Sequence, residues 1–567
     1  MKKIVLGIDW GTTNSCVSYY NSDSRKFIVI PNEQGELVSP SAIYFSGEGD
    51  VLFGSVALNM PGHLSKLKRL VGKDTLFDLN MMITSYIQYL KRYALEFIGI
   101  RETEIDVVIT VPVYYNDNQR EIIKNCFQDC DMNVIRIINE PTAAALAYAY
   151  ACDSDILKDD EYVLVFDCGG GTTDISLLYL DYSSQVYEVK NVIGDNVLGG
   201  EDLTDLLKDY LGQGQGRKVR RACEKLKCDL SFKENAIFNL ELGDAYISQS
   251  ISRIKFLEIT KPFFKKIKDL ILKLLNDTTD HVKKSLKKVI FVGGTTRIPY
   301  FKDLFRELLG NDITINCDLD PDTTVSLGAA VQGALIEDLL IGDFSDTLLL
   351  DIIPLSIGIE TVGGIMTPII SRNSILPISR TQDFKTTDTH VEICIYQGER
   401  KFVKDNFLLA KFDFDGTCQT NATISITFDV SLDGIITASA KSQDNTCSIQ
   451  IEKNKMEIDT DNFNIETHLL DAENNKLIDS EKANKITIKN DLYESFKKLL
   501  SVFHEYSSVS DYIKKELNSL FNETFYIIQN FESYTPDQLR ETKKIFEETW
   551  HRLIFDADVI DGTYLDY

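Results

Sequence analysis

Tryptophan and histidine are scarce in this chain of 567 residues, at two and six, and the histidines are too scattered to offer a zinc site. Its eleven cysteines are odd in number and nowhere spaced C-x-x-C, so a disulfide framework is excluded and reduced thiols in a cytoplasmic compartment are expected. No apolar run is long enough to span a membrane. Met1-Lys2-Lys3 precedes only a short apolar run reaching Asp9, too short for the core of a secretion signal and better read as a buried first strand. Basic charge is lacking too. A formal charge of −26 argues against nucleic acid or an anionic membrane as the main partner, because both need clustered Lys and Arg. With 44% hydrophobic residues, a chain of this length can bury two to four cores.

What is present is one phrase, twice. Gly7-Ile8-Asp9-Trp10-Gly11-Thr12-Thr13 and Val165-Phe166-Asp167-Cys168-Gly169-Gly170-Gly171-Thr172-Thr173-Asp174 each end an apolar run in an Asp and turn through glycines. Such a turn lets backbone N–H groups close on phosphate oxygens, while threonine hydroxyls add donors and the aspartates face a metal. One Asp-x-Gly-Thr alone is usually just a strand ending in a turn; the pair implies two facing lobes that handle ATP. Neither copy is the single loop with a Lys-Ser/Thr ending, and no G-x-G-x-x-G follows a strand, so the commonest nucleotide folds lack support. A third piece, Val289-Ile290-Phe291-Val292-Gly293-Gly294-Thr295-Thr296-Arg297, is a buried run breaking into a double glycine, which admits a base or ribose.

From the first residue to about Ile341, β-runs and helical segments alternate as in an α/β domain with buried strands such as 107–111 and 162–166. Between the second phosphate turn and the double glycine, Leu257 to Leu286 reads as one amphipathic helix with Lys on its polar face. Thr347-Leu348-Leu349-Leu350-Asp351 is either a connector or one more strand. From about Leu355 to Lys453 period-two strands follow, with a turn at Asp433-Gly434, and suggest a β-sandwich. Beyond Asp459 the pattern is helical, with stripes Leu492, Phe496, Leu499, Leu500, Phe503 and Phe546, Trp550, Leu553, Ile554, and a helix start at Thr535-Pro536.

The three nucleotide motifs, with Val111-Pro112-Val113-Tyr114-Tyr115-Asn116-Asp117, Arg136-Ile137-Ile138-Asn139-Glu140-Pro141-Thr142-Ala143-Ala144, Leu198-Gly199-Gly200-Glu201-Asp202 and Ser356-Ile357-Gly358-Ile359-Glu360-Thr361, resemble the seventy-kilodalton heat-shock chaperones, the DnaK-like family, over most of residues 1–453. The resemblance implies a multidomain protein: an actin-like (ribonuclease-H-like) two-lobed α/β ATPase over 1–341, a linker over 342–354, a β-sandwich peptide-binding domain over 355–458 and a helical, lid-like region over 459–567. It implies ATP-dependent chaperone activity on exposed hydrophobic segments of unfolded proteins, with ATP or ADP, Mg²⁺ and K⁺ as cofactors and a J-domain co-chaperone as partner.

Residue by residue, the resemblance implies that Gly11, Thr12, Thr13, Asn14 and Gly169 to Thr172 grip phosphates. Asp9, Glu140, Asp167 and Asp174 surround the cations, the three aspartates mainly through waters, and Lys68 orients the attacking water and offsets charge on the γ-phosphate. Gly199, Gly200, Glu201, Glu224, Lys227, Ser231, Gly293, Gly294, Thr295, Arg297 and Asp322 match the nucleoside side. Pro112 and Arg120 match an interlobe switch continued by Leu349, Leu350 and Asp351; Arg136, Asn139 and Asp351 match J-domain docking positions. Phe384, Ile393 and Ile395 fall in the peptide groove.

Departures from the family pattern matter as well. The spans from Lys68 to Pro112 and from Glu201 to Glu224 are short, so both outer lobes are trimmed. Cys228 replaces a guanidinium expected along the adenine, and Asn14 stands where tyrosine is common. Fast nucleotide release, with no need of an exchange factor, is the expectation. Two other functions stay open: a noncatalytic relative acting as exchange factor, holdase or assembly protein, and a small-molecule kinase on the same scaffold.

Overall fold

The computed structural model describes residues 4–46, 50–73, 78–101, 104–151, 160–212, 214, 216–242, 245–316, 319–340, 343–386, 391–414, 423–442, 446–450, 465–505 and 511–561. The chain divides into two compact units. One holds Met1–Ser356, Ile369–Val391 and Asp413–Glu466; the other holds Ile357–Pro368, Glu392–Phe412 and Thr467–Tyr567. The expected limits at 341/342 and 458/459 lie outside the described residues.

The first unit repeats one sheet. In its first half Val5–Trp10 pairs antiparallel with Asn14–Asn21, which pairs antiparallel with Lys26–Val29. On the other side Val5–Trp10 runs parallel to Ile105–Val111, and that strand runs parallel to Met132–Asn139. In the second half Glu161–Cys168 takes the central place, with Thr173–Asp181 and Val186–Asp195 antiparallel on one side and Leu286–Val292 and Thr314–Asn316 parallel on the other. The repeated order explains the repeated phrase: each copy is the turn between a central strand and its hairpin partner. The central strands are buried almost throughout, which is why they read as unbroken apolar runs rather than alternations.

Each half has its own core, one around Leu6, Ile8, Ile83 and Val107, the other around Phe166, Ile267, Phe301 and Phe305. Between them pack two helices with apolar residues on every side, Glu140–Ala151 and Thr324–Ile336. A side chain at Gly328 would place Cβ 1.7 Å from the carbonyl oxygen of Ala143, so only glycine permits this approach.

The single helix expected over 257–286 is instead three: Arg253–Ile259, Lys261–Asn276 and Asp280–Ser285. Pro262 sits in the first turn of the second, where its missing N–H costs nothing, and Thr260, which separates the first two helices, sits at φ −93° and ψ 7°. The ambiguous 347–351 segment resolves as a strand: Leu348–Leu350 runs parallel to Val186, Tyr187 and Glu188 at the sheet edge.

Also in the first unit, Ile378–Lys385, Thr423–Val430, Ile436–Lys441 and Thr446–Gln450 form an antiparallel sheet whose turn contains Gly434 at φ 78°. A second four-stranded sheet has the order Ile365–Ile370, Ile357–Thr361, Val391–Gln397, Phe407–Phe414. The C-terminal helices are Ile465–Glu505, Asp511–Gln529 and Pro536–Asp561. Leu492, Phe496, Leu517, Phe521, Phe546 and Trp550 form their core, with Leu499, Leu500, Phe503 and Leu553 packed against it. The side chain of Ile554 lies outside the described residues. The last helix opens on a capping box, Gln538 N–H donating to Thr535 Oγ1 at 3.2 Å and Thr535 N–H to Gln538 Oε1 at 2.8 Å. Among the described residues no helix is long and apolar enough to cross a membrane.

Candidate functional site

The two glycine-threonine turns face each other across one cleft. A Cβ on Gly170 would lie 2.1 Å from Thr13 Oγ1, and one on Gly171 would lie 2.6 Å from Thr12 Cγ2. With Asp9, Gly11, Asn14, Lys68, Glu140, Asp167, Gly169, Thr172, Gly293, Gly294 and Asp322 they line one cavity. Pro321 and Val325 line it too. The sequence reading passed over both, although Pro321 carries the carbonyl that fixes Gly293 N–H at 2.9 Å.

Charge is concentrated at its floor. Lys68, 4% exposed, contacts Glu140 Oε1, which opens the helix Glu140–Ala151. Burial disfavours the charged form of Lys68, but the carboxylates of Glu140 and Asp9 outweigh it and hold the ammonium above its ordinary range. Asp9 accepts from Thr110 Oγ1 at 3.3 Å and is pushed up to about 7, first by burial and then by Glu140, against the pull of Lys68. Asp167 and Asp174 are likewise held well above the ordinary carboxylate range, by burial and then by the charge of Glu140. Both carboxylate oxygens of Asp174 are buried without a hydrogen-bond partner. Among the described residues no three His, Cys, Asp or Glu side chains group closely enough to ligate a bare ion together.

Behind the second turn a backbone lattice fixes the loop: Gly200 N–H donates to Gly169 O at 3.0 Å, Glu201 N–H to Gly170 O at 2.8 Å, and Thr295 Oγ1 to Gly169 O at 2.8 Å. Gly199 N–H is bound by Asp202 at 2.7 Å. Lys227, buried, donates to Gly200 O and Glu224 Oε2 at 2.8 Å each, and Ser231 donates to Lys227 O at 3.2 Å. Arg297 pairs with Asp322 and Asp320. Gly199, Gly200, Glu201, Glu224, Lys227, Ser231, Thr295 and Arg297 thus surround the turn without lining the cavity. Cys228 is exposed, its Sγ 3.6 Å from Glu224 Oε1.

A second network runs from this floor to the Leu348–Leu350 strand. Tyr115 Oη donates to Lys68 O at 2.6 Å, and Tyr115 N–H to Pro112 O at 3.1 Å. Arg120, 7% exposed, donates to Tyr115 O at 3.0 Å, Val113 O at 3.2 Å and Asn139 Oδ1 at 2.7 Å. Asn139 donates in turn to Asp351 Oδ2 at 2.7 Å, which Thr142 Oγ1 also reaches at 3.2 Å. Leu349 and Leu350 are half-buried. Sequence reasoning took Asp433 only for a turn residue. It accepts from Ile137 N–H at 3.0 Å and lies 4.0 Å from Arg136. Of the expected groove residues, Ile393 and Ile395 share a buried face of their strand, while Phe384 is half-buried on another.

Compared with known families, the chain matches the model described as Hsp70 protein over residues 5–81 and 71–549.

Proposed function

The chain belongs to the Hsp70 protein family, and from that premise we propose that it is an ATP-driven chaperone. That membership carries a general chaperone role and ATP or ADP with Mg²⁺ as the usual ligands. In our reading, nucleotide phosphates sit between Thr12-Thr13 and Gly169–Thr172, and Gly293-Gly294 receives the nucleoside. The donor set fits a hydrated cation, because the partnerless Asp174 carboxylate and the raised Asp9 and Asp167 need a positive charge that Lys68 alone does not supply. Asp9, Asp167 and Asp174 would hold Mg²⁺ through waters, and the ion would neutralise charge on the phosphates. Lys68 orients the attacking water and opposes charge at the γ-phosphate, and Glu140 fixes Lys68.

One observation carries the coupling of nucleotide to peptide. Leu348–Leu350 adds to the sheet through Val186–Asp195, and that strand pairs with Thr173–Asp181, which begins at the second phosphate turn. A shift of that turn is therefore two strands from the linker. A kinase of small hydroxyl compounds gives this strand no role. The test is ATP turnover by the full chain with and without an unfolded peptide and a J-domain. Stimulation is the expected result; binding without turnover would replace this reading with a noncatalytic one, and phosphate transfer to a sugar hydroxyl would overturn it.

A further inference from the structure

Lys68 reaches Glu140 from a segment that does little to hold itself. Leu67–Leu70 is a single 3₁₀ turn, a short element whose internal hydrogen bonds are poorly aligned. It is entered through Lys66 at φ 64°, a left-handed conformation that strains a residue with a side chain, and left through Val71 at φ −56° and ψ 124°, outside the helical region. The lysine stem then adds four flexible carbons. An ammonium that must stay at one point on the cavity floor therefore needs support from outside the turn.

Two side chains at the start of the helix Asp117–Gln128 supply it. Tyr115 Oη donates to Lys68 O at 2.6 Å and Gln119 Nε2 donates to Val71 O at 3.0 Å, so the turn is gripped at both ends. The grips are themselves fixed. Gln119 belongs to the capping box of that helix, its N–H donating to Asn116 Oδ1 at 2.8 Å and its Oε1 accepting from Asn116 N–H at 3.1 Å. Tyr115 is buried in the same core as Leu67 and Val71. A phenylalanine ring would fill that space as well, and a buried hydroxyl costs free energy unless it is bonded, so the packing of the core gives the oxygen no purpose. Its purpose is its partner. Lys68 lines the cavity, whereas Tyr115 does not. Burial and then the charge of Glu140 hold the phenol well above its ordinary range, so it remains a donor at every working pH.

We propose that Tyr115 is a positioning residue for ATP hydrolysis: its hydroxyl fixes the Lys68 carbonyl and, with Gln119, holds the turn so that the ammonium meets Glu140 and the γ-phosphate instead of swinging through the cavity. The inference rests on the ATP reading above. Lys68 touches the reacting atoms, and Tyr115 acts only through Lys68. In that reading the two glycine-threonine turns hold the nucleotide, so losing the hydroxyl should slow the chemical step and spare affinity.

The test is single-turnover hydrolysis of pre-bound ATP by the full chain, set beside ATP affinity from equilibrium titration. Tyr115→Phe keeps the ring and removes only the oxygen. It should hydrolyse ATP about 5- to 30-fold more slowly, the scale of a sub-ångström misplacement, with affinity within about twofold of wild type. In a Lys68→Ala background the same substitution should add no further slowing, because nothing is left to position, whereas a merely structural role would slow both backgrounds alike. Gln119→Glu keeps the acceptor of the capping box and removes the donor to Val71 O, so it should slow hydrolysis in the same direction, and it carries the test if Tyr115→Phe does not fold. Wild-type turnover in either variant, equal slowing by Tyr115→Phe in both backgrounds, or affinity falling in step with rate would overturn the positioning role while the ATP reading stands. A wild-type chain that binds no ATP, or binds it without turnover, would overturn that reading and the positioning role with it.

Discussion

Asp351 should decide whether the edge strand Leu348–Leu350 stays on the sheet. Its carboxylate accepts from Asn139 Nδ2 at 2.7 Å, Thr142 Oγ1 at 3.2 Å and the N–H of Ile352 at 2.8 Å. Asp351→Ala leaves these buried donors without an acceptor. A hydrogen bond to a charged group is worth about 1.5–3 kcal/mol and each stranded donor costs about 1–3, whereas burying the carboxylate itself is unfavourable. The net loss is about 3 kcal/mol, or roughly 150-fold in the docked population. Asp351→Asn keeps one carbonyl acceptor and removes the buried charge, so the two effects oppose each other and protection should change by less than about 1 kcal/mol. The assay is hydrogen exchange of the Leu348–Leu350 amides, whose first N–H donates to Gln185 O at 2.9 Å. The sign of the pH effect follows from the shift. Burial, more than any other cause, holds Asp351 above the ordinary carboxylate range, so the docked strand binds a proton more tightly than the free one. Corrected for intrinsic exchange, protection should rise as pH falls toward that range and weaken as pH climbs through the raised value; Asp351→Asn should not respond. Equal protection in wild type and Asp351→Ala would refute the reasoning, because a strand that ignores the loss of three bonded donors is held by something else.

Lys68→Ala should bind ATP nearly as well as wild type yet hydrolyse it about 10²–10³-fold more slowly in single turnover, since a cation at the γ-phosphate matters most as charge shifts; undiminished turnover would remove Lys68 from the chemistry. Gly199→Ala carries no backbone strain, but its Cβ would lie 2.6 Å from Gly170 O and Gly171 N, so the second turn must move. ATP affinity by calorimetry should fall at least about tenfold, in line with the cost of sub-ångström misplacement. In the second unit His468 accepts from Glu399 N–H at 3.0 Å and is pushed down to about 4, by burial and then by Arg400. A depressed histidine supports folding above its unfolded value of about 6.5 and loses that support as pH falls toward 4, so the unit should weaken by about 2 kcal/mol between pH 7 and pH 5. Fluorescence of Trp550 in a Trp10→Phe background reads this directly, and His468→Gln should flatten it.

What was legible in the sequence is what local chemistry dictates. A turn that closes on phosphate needs its Asp, glycines and threonines within a few positions, so both turns and the double glycine at 293–294 could be read off, and the cavity gathers them with Lys68 and Glu140. The first break inside 257–286 was legible in principle, because Pro262 disfavours a helix running through it, but the apolar period masked it. Other features have no local signal. Leu348–Leu350 is three residues long, and its strand character comes wholly from Val186–Glu188, far back in the chain. Asp433 looks like any residue before a turn glycine until Ile137 N–H is seen to end on its carboxylate. Glycines mislead in the opposite sense: propensity counts Gly328 as a weakness in a helix, whereas the 1.7 Å separation a Cβ would have from Ala143 O makes it the condition for packing the two central helices. Residues that bind a ligand are grouped along the chain because one backbone turn presents them. Residues that carry a change between bodies must have partners in another body, so their role follows from the fold and not from any period or motif.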